Sequence, residues 1–594
     1  MCRLTKIPPA AKRVDTSGRR SLAAVVAHAL LRAASPLLAT LAGARAPGVD
    51  TSVDAARKSA CATAGYASGF AKTCATLGAL ALAAASLVNA AVFDVTAFGA
   101  KGDGKTQNRD AIGKAIEAAA AAGGGTVEFP AGTWVTGSIR LRSNVTLRLE
   151  RGAVIEASSD ATTYDPAEPN QWDKFQDFGH SHFHNSLIWG EGLENIAIVG
   201  GGRISAKALT RGERGGGGDK AIALKLCHNV TLRDNAISNG GHFGILVTGV
   251  DNLTIDNVMI DTNRDGIDVD SCRNVRISNS SVNAPNDDAI VLKGSHALGA
   301  ARASENITIT NCLVSGFEIG SLLDGTYKRT VQRAPDRDGP TGRIKIGTES
   351  EGDFRNITIS NVVFDTSRGL ALESVDGAHI EDVAVSNLTM RDVSNAPIFI
   401  RLGSRMRAPE GTPVGSIRRI NIGNVVAYNA DPRYGSIISG VPGHDVEDVK
   451  LRGIRIVYRG GLALDQVAKQ PPDLVNTFFF RASGGVPPRE PYDTPEREKE
   501  YPEPSMFGML PAYGFFIRHA AGIELSDIDL SYMTEDRRPA FVLDSVEGIA
   551  LENCRAQKAN GVPTIVMMKA RAVSGHRCAG LADFQTDSVA RKEM

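Results

Sequence analysis

Three aspartates in two short segments are the residues of this chain best suited to acid–base chemistry. Asp265 lies in the segment 263–266 (Asn-Arg-Asp-Gly), and Asp287 and Asp288 follow an asparagine. The interval from Asp265 to Asp288 is 288 − 265 = 23 residues. Carboxylates that share a small patch resist simultaneous ionisation, which leaves one protonated acid beside ionised bases. Hydrolysis of a glycosidic bond requires this division of roles.

The segments around these aspartates repeat with a short period. An asparagine followed by an alternating apolar strand recurs at Asn229, Asn252, Asn274, Asn306 and Asn356. The first two intervals are 252 − 229 = 23 and 274 − 252 = 22 residues. A period of this length, with β-branched strands and polar breaks, is typical of a solenoid in which each coil is one turn of a parallel β-helix. Weaker copies extend the predicted coils over residues 140–570.

The same pattern predicts where the aspartates lie relative to one another. Period-2 alternation places the Val, Ile and Leu of each strand inside the solenoid and the Thr, Ser, Arg and Asp outside. Neighbouring coils lie about 4.8 Å apart, so residues one period apart stack on the same face. We therefore expect Asp265 and Asp288 to be stacked neighbours, with Asp287 one step along the chain.

Composition and charge favour one long all-β solenoid with attachments. The chain has 594 residues, of which 62 are glycine and 6% are aromatic. This composition suits a turn-rich β-solenoid whose interior has little room for large rings. Lys plus Arg equals Asp plus Glu, at 66 each, so the charge balance does not indicate a nucleic-acid partner.

The first 90 residues differ from the repeat and are predicted to lie outside the fold. An apolar run from Cys74 to Val88 ends in Val88-Asn89-Ala90, a small-residue cleavage pattern that is consistent with a secretory signal. An Ala-rich helix or a disordered leader is the alternative. The run is short for a membrane span of about 20 residues. We expect a secreted or periplasmic protein with no membrane span in its mature chain.

Cysteine usage gives no sign of a metal or a cofactor. Cleavage after the apolar run would leave five of the eight cysteines: Cys227, Cys272, Cys312, Cys554 and Cys578. An odd number without a Cys-x-x-Cys pair argues against both a disulfide framework and a zinc site. We predict no metal and no cofactor.

Three further regions complete the predicted organisation. Residues 91–139 form an N-terminal cap region, in which a helix over residues 110–122 covers the open end of the solenoid. Two long excursions, residues 316–343 and 460–513, interrupt the coils. Such excursions commonly line a binding face, and a solvated surface loop is the alternative. Residues 571–594 are a C-terminal tail.

These residues resemble glycoside hydrolase family 28, the polygalacturonase-like enzymes. The resemblance covers residues 92–570 and is most specific in Asn263-Arg264-Asp265-Gly266, which is similar to the family's Asn-Thr-Asp-Gly, and in the Asp287-Asp288 pair. It implies a right-handed parallel β-helix that hydrolyses pectic polysaccharide or oligosaccharides with inversion. Asp287 would protonate the leaving oxygen, and Asp265 and Asp288 would activate water. Inversion requires about 6.5–9.5 Å between acid and base.

The chain departs from the family pattern at two motifs. The family's Gly-His-Gly has no counterpart, because residues 341–347 contain no histidine. Where the family carries an Arg-Ile-Lys for the substrate carboxylate, residues 369–374 carry Glu373, which would repel a uronate. Another cation must compensate, or a different sugar binds there. The candidate substrate-binding residues are Asn263, Lys293, Arg343, Lys345, Arg401 and Arg405.

Several alternatives remain open at the level of sequence. The lost motifs allow a rhamnogalacturonan-type substrate, and the long excursions favour attack at chain ends. A calcium-dependent uronide lyase would use the cluster, with Asp268 and Asp270, to bind calcium. A non-catalytic glycan-binding β-helix is the third alternative.

Overall fold

The protein is described by a computed structural model, which covers residues 91–210, 218–329, 338–475, 479–480 and 484–594. The predicted leader and parts of both predicted excursions lie outside the described residues. No helix in the described ranges is long and apolar enough to cross a bilayer.

Strands dominate the described residues, and the helices are short. The helices are α1 (Arg109–Ala121), α2 (Phe178–Ser181) and α3 (Leu464–Lys469), with 3-10 turns at Val95–Phe98, Ala161–Thr163, Asp173–Phe175 and Pro504–Phe507. The strands are β1 (Val92–Asp94), β2 (Gly125–Phe129), β3 (Gly132–Thr136), β4 (Ile139–Arg140), β5 (Val145–Leu149), β6 (Ala153–Ala157), β7 (Ile188–Glu191), β8 (Glu194–Val199), β9 (Arg203–Ser205), β10 (Lys220–Lys225), β11 (His228–Arg233), β12 (Ala236–Ser238), β13 (Phe243–Thr248), β14 (Asp251–Asp256), β15 (Met259–Asp261), β16 (Asp265–Asp270), β17 (Arg273–Ser278), β18 (Ser281–Asn283), β19 (Ile290–Gly294), β20 (Ser304–Thr310), β21 (Leu313–Ser315), β22 (Ile344–Ser350), β23 (Phe354–Asp365), β24 (Leu370–Ser374), β25 (His379–Arg391), β26 (Ile398–Leu402), β27 (Ser416–Ala430), β28 (Ser436–Ser439), β29 (Val446–Gly460), β30 (Phe515–Thr534), β31 (Phe541–Glu552), β32 (Arg555–Ala556), β33 (Ile565–His576) and β34 (Phe584–Glu593).

The strands form a right-handed parallel β-helix, as predicted. Consecutive coils pair in parallel along three faces. The face that matters for function, here called the cleft sheet, runs β4, β7, β10, β13, β16, β19, β22, β24, β26 and β28, and continues into the starts of β30, β31 and β33. Parallel pairing begins at β1 with β2, so the stack starts before residue 140.

The interior of the solenoid is a stack of aligned aliphatic side chains. On the cleft sheet one register position holds Ile222, Ile245, Ile267, Ile290 and Ile344 in successive coils, all 0–2% exposed. Burial of each such side chain contributes about 1.5–3 kcal/mol. These inward positions hold the alternate, outward side chains of the sheet in fixed places.

The asparagine of the sequence repeat forms a ladder along the outside of the solenoid. Each of these asparagines adopts a left-handed backbone conformation, with φ between 54° and 63°. From Asn195 onward, each side-chain Nδ2 donates to the Oδ1 of the asparagine one coil earlier over 2.7–3.2 Å. Asparagine tolerates this conformation better than most residues. The ladder contains Asn144, Asn195, Asn229, Asn252, Asn274, Asn306 and Asn356.

The two ends of the solenoid are closed differently. Helix α1 buries Ile112, Ala115, Ile116 and Ala119 against the first coils, within the main hydrophobic core. Residues 571–594, which the sequence suggests are a tail, contain the end of β33 and the strand β34, and these two strands pair antiparallel. An antiparallel last strand ends the parallel stack.

Two segments cover the outer face of the cleft sheet on either side of β16, β19 and β22. The N-terminal cover, residues 158–187, packs Phe183 against Trp189, Ala223, Phe243 and Leu246. The C-terminal cover, residues 460–513, contains the second predicted excursion. Its Met506, Phe507, Leu510 and Ala512 pack against outward residues from Ala371 to Val566. This placement favours the binding-face interpretation of the excursion over a solvated loop.

We expect the asparagine ladder to contribute measurably to stability. Asn252→Ala removes two ladder hydrogen bonds and forces alanine into the left-handed region, so we expect a loss of about 1–3 kcal/mol in the free energy of unfolding. Asn252→Gly removes the same hydrogen bonds but tolerates the backbone, so its loss should be smaller. Urea unfolding of both variants measures this difference, and equal stability of alanine and wild type would contradict the role of the ladder.

Candidate active site

The structure brings the three aspartates together on the cleft sheet, between the two covers. Asp265 is the first residue of β16, and Asp287 and Asp288 lie in the turn before β19. Carboxylate oxygens of the three lie within 4.8 Å of one another. These three residues are called the carboxylate cluster below.

A glycine allows the two coils to approach each other at the cluster. The N–H of Gly266 donates to the carbonyl of Asp288 over 3.0 Å. A Cβ at Gly266 would lie 2.5 Å from the carbonyl oxygen of Ala289 and 2.3 Å from a methyl group of Val282. A larger residue would therefore separate the coils that hold the cluster.

Asp288 is held in its ionised form by two cations of the next coil. Arg343 Nε lies 2.8 Å from Asp288 Oδ1, and the Lys345 ammonium contacts the other oxygen. Burial alone would raise the pKa of Asp288, but the charges of Lys345 and Arg343 outweigh it and hold the pKa below its ordinary value. Asp288 is thus a carboxylate suited to accept a proton.

Asp287 pairs with the arginine of the 263–266 motif. Arg264 Nη2 lies 2.6 Å from Asp287 Oδ2, and the two side chains are 15% and 23% exposed. This ion pair faces the opening more than the rest of the cluster, since Asp265 and Asp288 are only 4% and 1% exposed.

Asp265 is the carboxyl of the cluster whose surroundings most favour a proton. In the described part of the chain no cation forms an ion pair with it, whereas Asp287 has one such partner and Asp288 has two. Burial, and next the charge of Asp287, raise the pKa of Asp265 to about 8. At neutral pH the cluster therefore favours a protonated Asp265 beside an ionised Asp288 and the ion pair of Asp287 with Arg264.

A second row of charged residues lies beside the cluster under the N-terminal cover. Lys293 Nζ lies 2.9 Å from Glu349 and 3.8 Å from Asp268, and His180 lies 3.9 Å from Asp268. Burial, together with the charge of Asp265, raises the pKa of Asp268 well above its ordinary value. Burial also lowers the pKa of His180, which favours a neutral imidazole.

Residues 369–374 lack the cation that would bind a substrate carboxylate, and Lys345 supplies one from the preceding coil. Lys345 lies beside Ala371 in the parallel register of β22 and β24. Glu373 accepts a hydrogen bond from Thr348 Oγ1 over 3.0 Å, and it lies 3.7 Å from Arg343. Burial raises the pKa of Glu373 to about 7, so its charge at the cleft is reduced. A uronate is therefore not excluded by Glu373.

The C-terminal cover contributes two side chains that the sequence analysis did not identify. Glu503 accepts from Arg343 over 2.8 Å, and it lies 2.9 Å from Arg368. Tyr501, 41% exposed, lies 3.5 Å from Lys345 through its hydroxyl. Both lie within a long excursion that has no local motif, so no sequence signal indicates them. Strand alternation in the sequence could have identified Glu349 as a site residue, because it lies on the same face of β22 as Lys345.

The remaining candidates differ in their surroundings. Asn263 is half-buried in the turn before β16. Arg405 Nε donates to Asp376 over 3.0 Å, and its guanidinium lies 6.0 Å from the Tyr501 ring centre. Arg401, 1% exposed, instead donates to Ser439 and to the carbonyls of residues 440, 496 and 497. It holds the C-terminal cover in place rather than facing the cleft.

A divalent cation would have to compete with existing ion pairs. The cluster is compact enough to offer three oxygens to one ion. However, Arg264, Arg343 and Lys345 already neutralise Asp287 and Asp288. The donor set therefore fits acid–base chemistry better than metal binding.

Two family models match parts of the chain. One, described as "Right handed beta helix region", matches residues 180–331. The other, described as "Rhamnogalacturonase A/epimerase, pectate lyase-like", matches residues 92–163. The first match includes the coils that hold the carboxylate cluster.

Relatives and solved structures agree with these matches. A probable polygalacturonase of Vitis vinifera is 25% identical over 385 residues, which are 58% of this chain and 73% of that protein. A polygalacturonase of Gossypium hirsutum is 29% identical over 327 residues, 53% and 71% of the two chains. The structure of a family 28 exopolygalacturonase of Yersinia enterocolitica has a TM-score of 0.54 at 18% identity, covering 75% and 76%.

An exopolygalacturonase of Thermotoga maritima has a TM-score of 0.51 at 21% identity, covering 62% of this chain and 87% of that chain. At these identities the solved structures are evidence for the fold alone. The relatives and the family models add a similarity in sequence to this likeness in fold. The chain is similar to the polygalacturonase-like enzymes of glycoside hydrolase family 28.

Proposed function

We propose that this enzyme is secreted or periplasmic and hydrolyses glycosidic bonds in pectic polysaccharide or oligosaccharides with inversion. Asp287 protonates the leaving oxygen, and Asp265 and Asp288 deprotonate the attacking water. The observation that carries the proposal is the carboxylate cluster, in which oxygens of three aspartates lie within 4.8 Å of one another. Such a set contains the acid and the base that hydrolysis requires. These oxygens lie closer together than the roughly 6.5–9.5 Å expected between acid and base for inversion, so inversion is proposed from the family resemblance alone.

A uronic acid suits the charges around the cluster. Arg264, Lys345 and Arg405 border the same opening as Tyr501. Planar arginine forks bind carboxylates through two parallel hydrogen bonds. The tyrosine ring adds an apolar surface on which a sugar ring can pack.

The covers favour attack near a chain end. The two covers approach each other over β16, β19 and β22, which at about 4.8 Å per strand span roughly 10–15 Å. The loop after β26 also contacts the N-terminal cover, where Arg407 donates to the Phe175 carbonyl over 3.2 Å and to Asp177 over 3.0 Å. A long polysaccharide would not pass through so short an opening, whereas its end would enter.

A rhamnogalacturonan-type hydrolase is the second candidate. The family model that matches residues 92–163 is described as "Rhamnogalacturonase A/epimerase, pectate lyase-like". The Arg-Ile-Lys motif of glycoside hydrolase family 28 is absent at residues 369–374. A calcium-dependent lyase has less support. Asp270, one of its expected ligands, is buried and accepts hydrogen bonds from Ser295, and Arg343 and Lys345 are held in ion pairs.

The first test compares products from wild type and Asp287→Asn. Wild type should release saturated sugars from polygalacturonate or rhamnogalacturonan oligomers in the presence of a chelator. Loss of the general acid should lower kcat by about 10²–10⁴-fold. Asp587→Asn, an exposed residue of β34, is the matched control and should retain full activity. Unsaturated, calcium-dependent products would contradict hydrolysis.

The second test concerns chain-end attack. Incubation with a long polymer should release monomers or short oligomers from the start while viscosity falls only slowly. Viscometry alongside chromatography of the products measures both quantities. A rapid fall in viscosity, with products of every length, would contradict the proposed closed cleft.

The third test concerns the base. Lys345→Met removes one of the two charges that hold the pKa of Asp288 low. Since the base must be ionised, the acidic limb of the pH–rate profile should move to higher pH, by about 1–2 units. Lys450→Met, which removes the exposed ion pair with Glu524, is the control. An unmoved acidic limb in Lys345→Met would show that Asp288 is not the base.

A further inference from the structure

The ion pair between Arg264 and Asp287 is the part of the cluster that a ligand meets first. Its two side chains are 15% and 23% exposed, whereas Asp265 and Asp288 are nearly inaccessible. The Nε of Arg264 is buried and has no hydrogen-bond partner in the described residues. The guanidinium therefore has a donor that Asp287 does not use.

This ion pair conflicts with the role of Asp287 as the acid. A general acid must carry a proton when the bond breaks, but a cation at 2.6 Å favours the ionised carboxylate. Burial and the charge of Asp287 make Asp265 the carboxyl of the cluster that most favours a proton. Catalysis thus requires a rearrangement that moves the proton from Asp265 to Asp287.

A bound carboxylate can cause this rearrangement. The titratable groups that face Arg264 are Asp287, Asp265, Tyr501 and Asp177. Lys293 and Asp268 also act on Asp265, and Arg343 and Lys345 hold Asp288. Among these groups Arg264 is the cation that contacts Asp287, so its position determines whether Asp287 is neutralised by an ion pair or by a proton.

We propose that Arg264 binds a carboxylate of the substrate and thereby determines which carboxyl of the cluster carries the shared proton. This inference rests on the proposed hydrolase function. When the substrate carboxylate draws the guanidinium away, Asp287 loses its ion pair. The proton then moves from the carboxyl of Asp265 to Asp287. No proton enters or leaves the solvent, and the cluster keeps two negative charges.

The transfer produces the roles that hydrolysis needs. Asp287 becomes the protonated acid beside the leaving oxygen, and Asp265 and Asp288 become the pair that activates water. A neutral ligand of the same shape cannot displace Arg264 by charge. It would bind without placing the proton on Asp287. Arg264 therefore acts as a specificity-determining residue whose effect appears in kcat, because the interaction is used to form the reactive state.

The test compares oligogalacturonate with its methyl ester on wild type and Arg264→Thr. General acid catalysis contributes about 10²–10⁴-fold, so the wild-type ratio of kcat for acid over ester should exceed about 100. In Arg264→Thr, where no ion pair holds Asp287, the ratio should fall below about 10 while KM for the acid rises. The alkaline limb of kcat/KM should also move to higher pH, because the cluster without Arg264 binds its proton more tightly.

Two further variants complete the test. Arg264→Lys keeps the charge without the planar fork, so its ratio should lie between about 10 and 100, a result that does not require Arg264→Thr to fold. Arg302→Thr removes an ion pair of similar length, 2.7 Å to Asp251. It should keep the wild-type ratio of kcat for acid over ester and the wild-type alkaline limb of kcat/KM. If wild type is active and both Arg264 variants keep the wild-type ratio of kcat for acid over ester, the inference about Arg264 is overturned while the proposed function stands. Inactivity of wild type on both substrates would overturn the proposed function as well.

Discussion

Repulsion among three carboxylates on two adjacent coils is the constraint on which the site depends. Their oxygens lie within 4.8 Å of one another at positions that are largely closed to water, where like charges interact strongly. Ionisation of all three groups together is disfavoured there at neutral pH. Arg264 neutralises Asp287, Arg343 and Lys345 neutralise Asp288, and the raised pKa of Asp265 favours its protonated form. The buried Glu503 in turn fixes Arg343.

The solenoid makes this arrangement possible because it fixes the distance between coils. Inward isoleucines stack in register, the asparagine ladder ties the turns together, and Gly266 allows close approach at the cluster. The two covers then leave only a short part of the cleft sheet open. The coils repeat along the solenoid, and the residues that interrupt the repeat create the site at one place.

The repeat and the cluster could be predicted from sequence because both depend on local periodicity. The 23-residue interval placed Asp265 over Asp288, and the recurring asparagine marked a left-handed turn in each coil. Contacts between distant segments could not be predicted in this way. Glu503 and Tyr501 reach the site from an excursion without a repeat, and the cations expected at residues 369–374 come from the preceding coil. Arg401 was a candidate by charge alone, but its donors are taken by β28, by the residue that follows it and by the C-terminal cover.

The location of the shared proton is the central claim, and infrared difference spectroscopy tests it most directly. Spectra of wild type minus Asp265→Asn at neutral pH isolate the carboxyl of Asp265. A protonated Asp265 gives the carbonyl band of a carboxylic acid, which we expect to disappear as the pH rises past the pKa of about 8. A carboxylate band from Asp265 throughout the neutral and mildly acidic range would contradict it, since all three carboxylates would then be ionised together.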